Sequence, residues 1–167
     1  LQSGPQRIYA TCKGFSTMIS PKIEQFLLEQ EETFLTPADK LAVIIDSHNM
    51  DHAKLLLSHM SFSRVPVVTE DNRFVGTIGL NEIIQYQAEN ELSDEELYQD
   101  ISLIAKRDVA TVKENYELAD ILRKLIDESF LPVLGENDEF LGIITRKAIL
   151  KAFNALVHGF DIVEKNK

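Results

Sequence analysis

Cysteine is almost missing from this chain. The one residue, Cys12, stands in the opening stretch 1–17 (LQSGPQRIYATCKGFST), which shows no apolar periodicity, precedes Met18 and reads as foreign, tag-derived sequence. From Met18 onward there is then no thiol, which excludes a disulfide frame, a cysteine nucleophile and a thiolate metal site. Long hydrophobic runs are missing too: none approaches the roughly 18 apolar residues that a membrane-spanning helix needs. The start lacks the apolar core, roughly 7 to 15 residues, of a secretory signal. The expectation is a soluble protein of the reducing cytoplasm. Positive charge is scarce, with Lys+Arg at 17 against Asp+Glu at 27 and a net charge of −10. Neither a nucleic-acid polymer nor an anionic membrane is therefore expected as the main partner, because each needs a basic face. A small anion remains within reach of a local cluster of cations. There is also no glycine-flanked serine nucleophile, phosphate-binding glycine loop or dinucleotide fingerprint, so no enzyme is expected.

What the chain does have is a duplication. Ser63 to Ile78 (SRVPVVTEDNRFVGTI) recurs as Ser129 to Ile144 (SFLPVLGENDEFLGII), without insertion, at an offset of 66 residues. Pro66 falls on Pro132, Val67 on Val133, Phe74 on Phe140, Gly76 on Gly142 and Ile78 on Ile144. Upstream, Val43 falls on Val109, Asn49 on Asn115, Ala53 on Ala119 and Leu56 on Leu122. One unit written twice is expected to bury its apolar faces against its copy, which opens a cleft along the join.

Patterning fills in the unit. Ile23, Phe26, Leu27 and Gln30 have the spacing of a lead-in helix within 18–34. Leu41 to Ile45 reads as a short buried strand, followed by a helix capped by Asn49 and carrying Ala53, Leu56, Leu57 and Met60 inward. Asn115 is expected to do the same for Ala119, Leu122, Leu125 and Ile126. Each helix should lead into a four-residue strand (65–68; 131–134), an acidic turn, a second strand and a closing helix. The segmentation is thus 1–17 tag, 18–34 lead-in helix, 35–90 repeat one, 91–103 acidic connector, 104–160 repeat two and 161–167 tail. In the connector, Ser93 and Glu96 have capping-box spacing. No linker of disordered composition separates the repeats, so they should be docked in a mixed α/β (α+β) fold.

A strand, helix, strand, strand, helix unit with a valine-proline-valine core and a glycine in the next strand, written twice from Thr36 to Phe153, resembles a tandem pair of CBS domains, the Bateman module. Family members bind AMP, ATP, S-adenosylmethionine, cyclic di-AMP or nothing. The start Met18-Ile19-Ser20, the segment Ala38-Asp39-Lys40 and the close Gly142-Ile143-Ile144-Thr145-Arg146-Lys147 are similar to the stand-alone cyclic di-AMP-binding CBS proteins of Gram-positive bacteria. The resemblance implies repeats packed about a pseudo-twofold axis, in a cytoplasmic homodimer that holds cyclic di-AMP between its repeats, needs no cofactor, and regulates a protein target such as a stringent-response (p)ppGpp synthetase or a metabolic enzyme. An AMP, ADP or ATP sensor and a ligand-free interaction module are the alternatives.

The family's binding positions fall on Lys40, Leu41 and Ala42, on Phe62, Ser63 and Arg64, and on Thr145, Arg146 and Lys147. The resemblance assigns the Leu41 and Ala42 main chain to an adenine edge, Phe62 to stacking, Ser63 to ribose or phosphate, and the cations to the phosphodiesters. Arg146→Ala is expected to weaken binding and leave the fold intact. Two departures bear on the ligand. The aspartate that takes both ribose hydroxyls in linear-nucleotide binders, three residues after the threonine, is Ala148; in repeat one the threonine is Gly79 and the aspartate Glu82. A cyclic dinucleotide has its 3′ oxygens esterified and offers no diol, so it loses little. Ser63 and Thr145 also read as turn and cap residues. His48 and His52 share helical spacing without a third ligand, and Glu70-Asp71 and Glu136 to Glu139 read as solvated turns, so no metal is expected.

Overall fold

The computed structural model describes residues 20–29, 34–60 and 63–164. Residues 1–19, which hold Cys12 and Met18, and also Gln30, Phe62 and 165–167 lie outside the described residues, as does the side chain of Leu27. In order the elements are α1 (Pro21–Glu29), β1 (Leu35–Pro37), β2 (Ile44–Ile45), α2 (Met50–His59), β3 (Arg64–Val68), β4 (Phe74–Gly79), α3 (Leu80–Glu89), β5 (Val112–Lys113), α4 (Leu118–Lys124), β6 (Phe130–Leu134), β7 (Phe140–Thr145) and α5 (Arg146–Glu164). Each repeat builds its own sheet, with order β2-β3-β4 in the first and β5-β6-β7 in the second, where β1 is added at the outer edge of β7. The first pair of each is parallel and the second antiparallel, with Val67 opposite Gly76 and Val133 opposite Gly142.

The segments leading into the repeats are exchanged. Strand β1 opens repeat one in the chain but pairs with repeat two, Thr36 opposite Ile143. Lys106 lies near the start of repeat two but bridges to Thr77 in repeat one, with N–O distances of 2.8 and 2.9 Å. Glycine is required where each segment crosses: a Cβ on Gly76 would stand 2.3 Å from the Lys106 carbonyl oxygen, and one on Gly142 2.2 Å from that of Thr36. This crossing explains why glycine recurs at both positions.

Each repeat has its own apolar core. The first gathers Ile44, Met50, Ala53, Leu57, Val65, Val67, Ile78 and Ile83, and the second Val112, Leu118, Ile121, Leu131, Val133, Ile144 and Ile149, with Ile23 and Phe26 of α1 packed on it. A third cluster joins the two: Val68, Leu134 and Phe140, with Leu41, Val43, Phe74 and Ile143 against them. The Phe74 and Phe140 rings stack with centroids 6.0 Å apart. Phe74 N–H donates to Asp138 and Phe140 N–H to Asn72, both at 2.9 Å, and Asn72 and Asp138 share a φ of 59°. These reciprocal contacts between offset-related residues are the local signature of the pseudo-twofold axis.

Several expectations are corrected. The strand expected over Leu41 to Ile45 is confined to Ile44–Ile45, because Leu41 and Val43 turn into the joining cluster. Asn49 caps α2, its side chain accepting from His52 N–H at 3.0 Å. Asn115 does not repeat this: the 66-residue offset expected to run upstream slips to 68, Asp46 N–H bonding Val68 and Glu114 N–H bonding Leu134, so the place of Asn49 falls on Glu117 and the helix begins at Leu118. Ile126, expected inward, is 73% exposed, since α4 ends at Lys124 and the chain turns away from the core. The capping box forms as read, Ser93 N–H and Oγ both bonding Glu96 at 2.8 Å. The connector is more than a bridge, because Leu97 and Ile101 are buried in the first core and Met50 N–H bonds Gln99 at 2.9 Å.

Candidate functional site

The ends of β3 and β6 opposite the stacked phenylalanines open into a cavity of about 320 Å³, within the size range of small-molecule pockets. Ser63, Arg64 and Thr77 come to it from repeat one, Lys106, Val109 and Ala110 from the crossing segment, and Asp127 to Phe130, Pro132 and Arg146 from repeat two. Chain direction explains the composition. Residues entering β3 and β6 follow a helix closely, so their side chains meet at the join while Arg64 and Phe130 stay paired with β4 and β7.

Arg64 is tied in place on one wall. Its Nη1 donates to Thr77 Oγ1 at 2.9 Å and its Nη2 pairs with Glu82, whose other oxygen accepts from Gly79 N–H at 3.0 Å and caps α3. Burial pushes the Arg64 guanidinium below its ordinary value, and the charge of Glu128 opposes that shift. Arg146, at the start of α5, donates from Nε to Leu125 at 2.8 Å and from Nη2 to Ile126 and Glu128 at 3.3 and 2.8 Å. It closes the carbonyl end of α4 and lines the cavity at once. Thr145 Oγ1 accepts from Ala148 N–H at 3.1 Å and caps α5.

Of the residues expected at the site, Ser63, Arg64 and Arg146 line this cavity together. Lys147 lines a shallower groove along α5, with Leu150, Lys151 and Asn154, that joins the cavity at Ser129 and Arg146. Lys40 and Ala42 are exposed beside β7, and Leu41 packs in the joining cluster with its N–H bonded to Ala38 at 3.1 Å. Phe62 lies outside the described residues. Of the other lining residues, Ser129 is the offset partner of Ser63, so the repeat carried its signal; Lys106 covers Gly76 as Thr36 covers Gly142, so the 66-residue offset, which sets Lys106 against Lys40, does not describe its place. Thr77 had no signal, and Glu82 was legible only as the counterpart of the diol-binding aspartate, because their tie to Arg64 depends on how far that side chain reaches across its own sheet. Among the described residues no cluster of histidine, cysteine or carboxylate side chains is placed to hold a metal, and no helix is long and apolar enough to cross a membrane.

Comparison with known proteins places this geometry. The CBS domain profile matches residues 37–89 and 99–155. The chain is 28% identical over 149 residues to cyclic di-AMP receptor B of Bacillus subtilis (strain 168), covering 86% of this chain and 99% of that one. Among solved structures, a CBS domain protein from Streptococcus pneumoniae TIGR4 is 58% identical with a TM-score of 0.77, over 82% of this chain and 94% of that one. A structure of CbpB in complex with c-di-AMP is 38% identical with a TM-score of 0.77, over 85% and 98%.

Proposed function

The chain belongs to the CBS domain family, and from that premise we propose that it is a receptor for cyclic di-AMP, holding the ligand in the cavity between its repeats and signalling to a protein partner. The observation that carries this reading is the state of the carboxylate at position 82. Glu82 is committed on both oxygens, to Arg64 and to the Gly79 N–H, and its offset partner is Ala148. No carboxylate at either position is left to clamp the ribose diol of AMP or ATP. A cyclic dinucleotide has no diol to clamp, and its two phosphodiesters suit Arg64, Lys106 and Arg146. Asp127 and Glu128 share the cavity, so affinity rests on where donors are held more than on bulk positive charge. The cavity and the groove beside it offer two adjoining compartments for a ligand with two bases. The relatives named above, one a cyclic di-AMP receptor and one in complex with c-di-AMP, support the same ligand.

Calorimetric titration of the chain lacking residues 1–17 with cyclic di-AMP, AMP and ATP tests this. Cyclic di-AMP is expected to bind at least tenfold more tightly than AMP, and AMP binding equally well overturns the reading. A thermal shift gives a second readout, since ligand at about 100 times its Kd adds roughly 2.7 kcal/mol.

Signalling requires that the ligand prefer one conformation, and the regulated partner then weakens ligand binding by the same factor. In this reading the protein is a cytoplasmic homodimer, a binding protein and not an enzyme, whose target is a (p)ppGpp synthetase or a metabolic enzyme. Exposed Leu55, Ile84 and Leu150 on α2, α3 and α5 support the dimer, Ile84 and Leu150 being offset partners on the two closing helices.

A further inference from the structure

We infer that Glu82 and Thr77 are positioning residues that hold the Arg64 guanidinium on the cavity wall as the phosphate donor, and that this one-sided arrangement sets which way the ligand lies. The inference rests on the reading of the cavity as a cyclic dinucleotide site.

Three observations carry it. Thr77 is the only polar residue buried among those described, at 2% exposure, and its hydroxyl takes Arg64 Nη1 at 2.9 Å while Glu82 takes Nη2. A guanidinium has five N–H bonds in a rigid plane. Fixing one on each terminal nitrogen fixes the plane and leaves the others for a second partner. Arg64 and Thr77 both line the cavity, so that partner is whatever occupies it. Finally, the three residues occur together in repeat one and are replaced together in repeat two, by Phe130, Ile143 and Ala148. Phe130 also lines the cavity, so an aromatic face stands where the offset partner carries a cation. A nucleotide is therefore steered with a phosphodiester toward Arg64 and a base toward Phe130.

The sign of one substitution tests the idea. Glu82→Gln keeps an oxygen for the Gly79 N–H but removes the partner of Arg64. If Glu82 were only a bystander charge, removing it would tighten the binding of an anion. As a positioning residue it has the opposite effect: cyclic di-AMP affinity measured by calorimetry is expected to fall at least tenfold. In an Arg64→Ala background the same substitution is expected to change affinity less than twofold, which a role in folding alone would not produce. Thr77→Val, close in shape, should weaken binding about threefold and serves as the second variant if Glu82→Gln does not fold. Unchanged or tighter binding by Glu82→Gln, or an undiminished effect in the Arg64→Ala background, overturns the inference while leaving the cyclic di-AMP reading in place. Failure of the unsubstituted chain to bind cyclic di-AMP overturns both.

Discussion

Arg146 shows how a side chain acquires a second task on folding. As a cation near the start of a helix it reads as a ligand for phosphate, yet in the structure it also bonds the carbonyls of Leu125, Ile126 and Glu128. Arg146→Ala is therefore expected to lower stability by about 1–3 kcal/mol in urea unfolding, because it leaves carbonyls at the end of α4 without their donor. The same variant is expected to weaken cyclic di-AMP binding. A variant of unchanged stability would show that water replaces the guanidinium there. Gly142 is the opposite case, legible from the repeat but not explained by it. A Cβ there meets the Thr36 carbonyl at 2.2 Å, whereas at Gly135 the nearest atom is the Glu139 Cβ at 3.4 Å. Gly142→Ala is expected to cost about 1–3 kcal/mol, and Gly135→Ala well under that, in the same unfolding measurement.

Helices and turns obey local chemistry wherever the sheet leaves them free to do so. Asn49 and Asn115 are the same residue at offset positions, but only Asn49 sits at a helix start. Asn49→Ala is expected to cost about 1 kcal/mol and Asn115→Ala to be nearly neutral, a contrast that thermal unfolding of the two variants checks directly. The capping box in the connector needed only the three-residue spacing of Ser93 and Glu96, which is why it was readable, whereas the burial of Leu97 and Ile101 required the first core as a partner. The connector also carries a pH dependence. Hydrogen bonds from Lys54 and Gln87 hold the Asp94 carboxyl below its ordinary value of 3.8, and the Ser93 N–H holds Glu96 below 4.5. A carboxyl depressed in the folded state binds fewer protons there than in the unfolded chain. Its contribution is complete above the ordinary range and is lost as pH falls through the folded value. The thermal midpoint is expected to fall on acidification below about pH 4.5, less steeply in an Asp94→Asn, Glu96→Gln double variant; equal slopes would remove the connector from the account.

The whole molecule depends on the join between repeats. Phe140 is 1% exposed and stacks on Phe74, and the two strands that carry them exchange backbone bonds with the opposite hairpin turns. Phe140→Ala is expected to cost about 3–5 kcal/mol and to loosen the register of the halves. Ligand binding should weaken along with it, since the cavity is lined from both repeats. Calorimetry and urea unfolding of this variant together check the point: lost stability with unaltered affinity would mean that the cavity is built by one repeat alone.

The offset repeat determined by itself that two copies of one unit exist, that their proline-centred strands, Val65-Pro66-Val67 and Leu131-Pro132-Val133, are buried and that a cleft lies between them. Those features depend on local pattern and on the need of two incomplete apolar faces to cover each other. Which set of offset partners lines the open cavity was decided by tertiary structure. The segments 40–44 and 106–110 share the 66-residue offset but not a place in the fold: β2 meets Val67 at Ile44 and β5 meets Val133 at Val112, a spacing of 68, so Leu41 fills the joining cluster while Arg107 is exposed. The exchange of β1 and Lys106 between repeats was likewise invisible, because the pairing of a short segment is settled by the sheet edge it reaches and not by its own residues. The tie between Arg64, Thr77 and Glu82 arises for the same reason: side chains distant in sequence meet only once β3, β4 and α3 are packed.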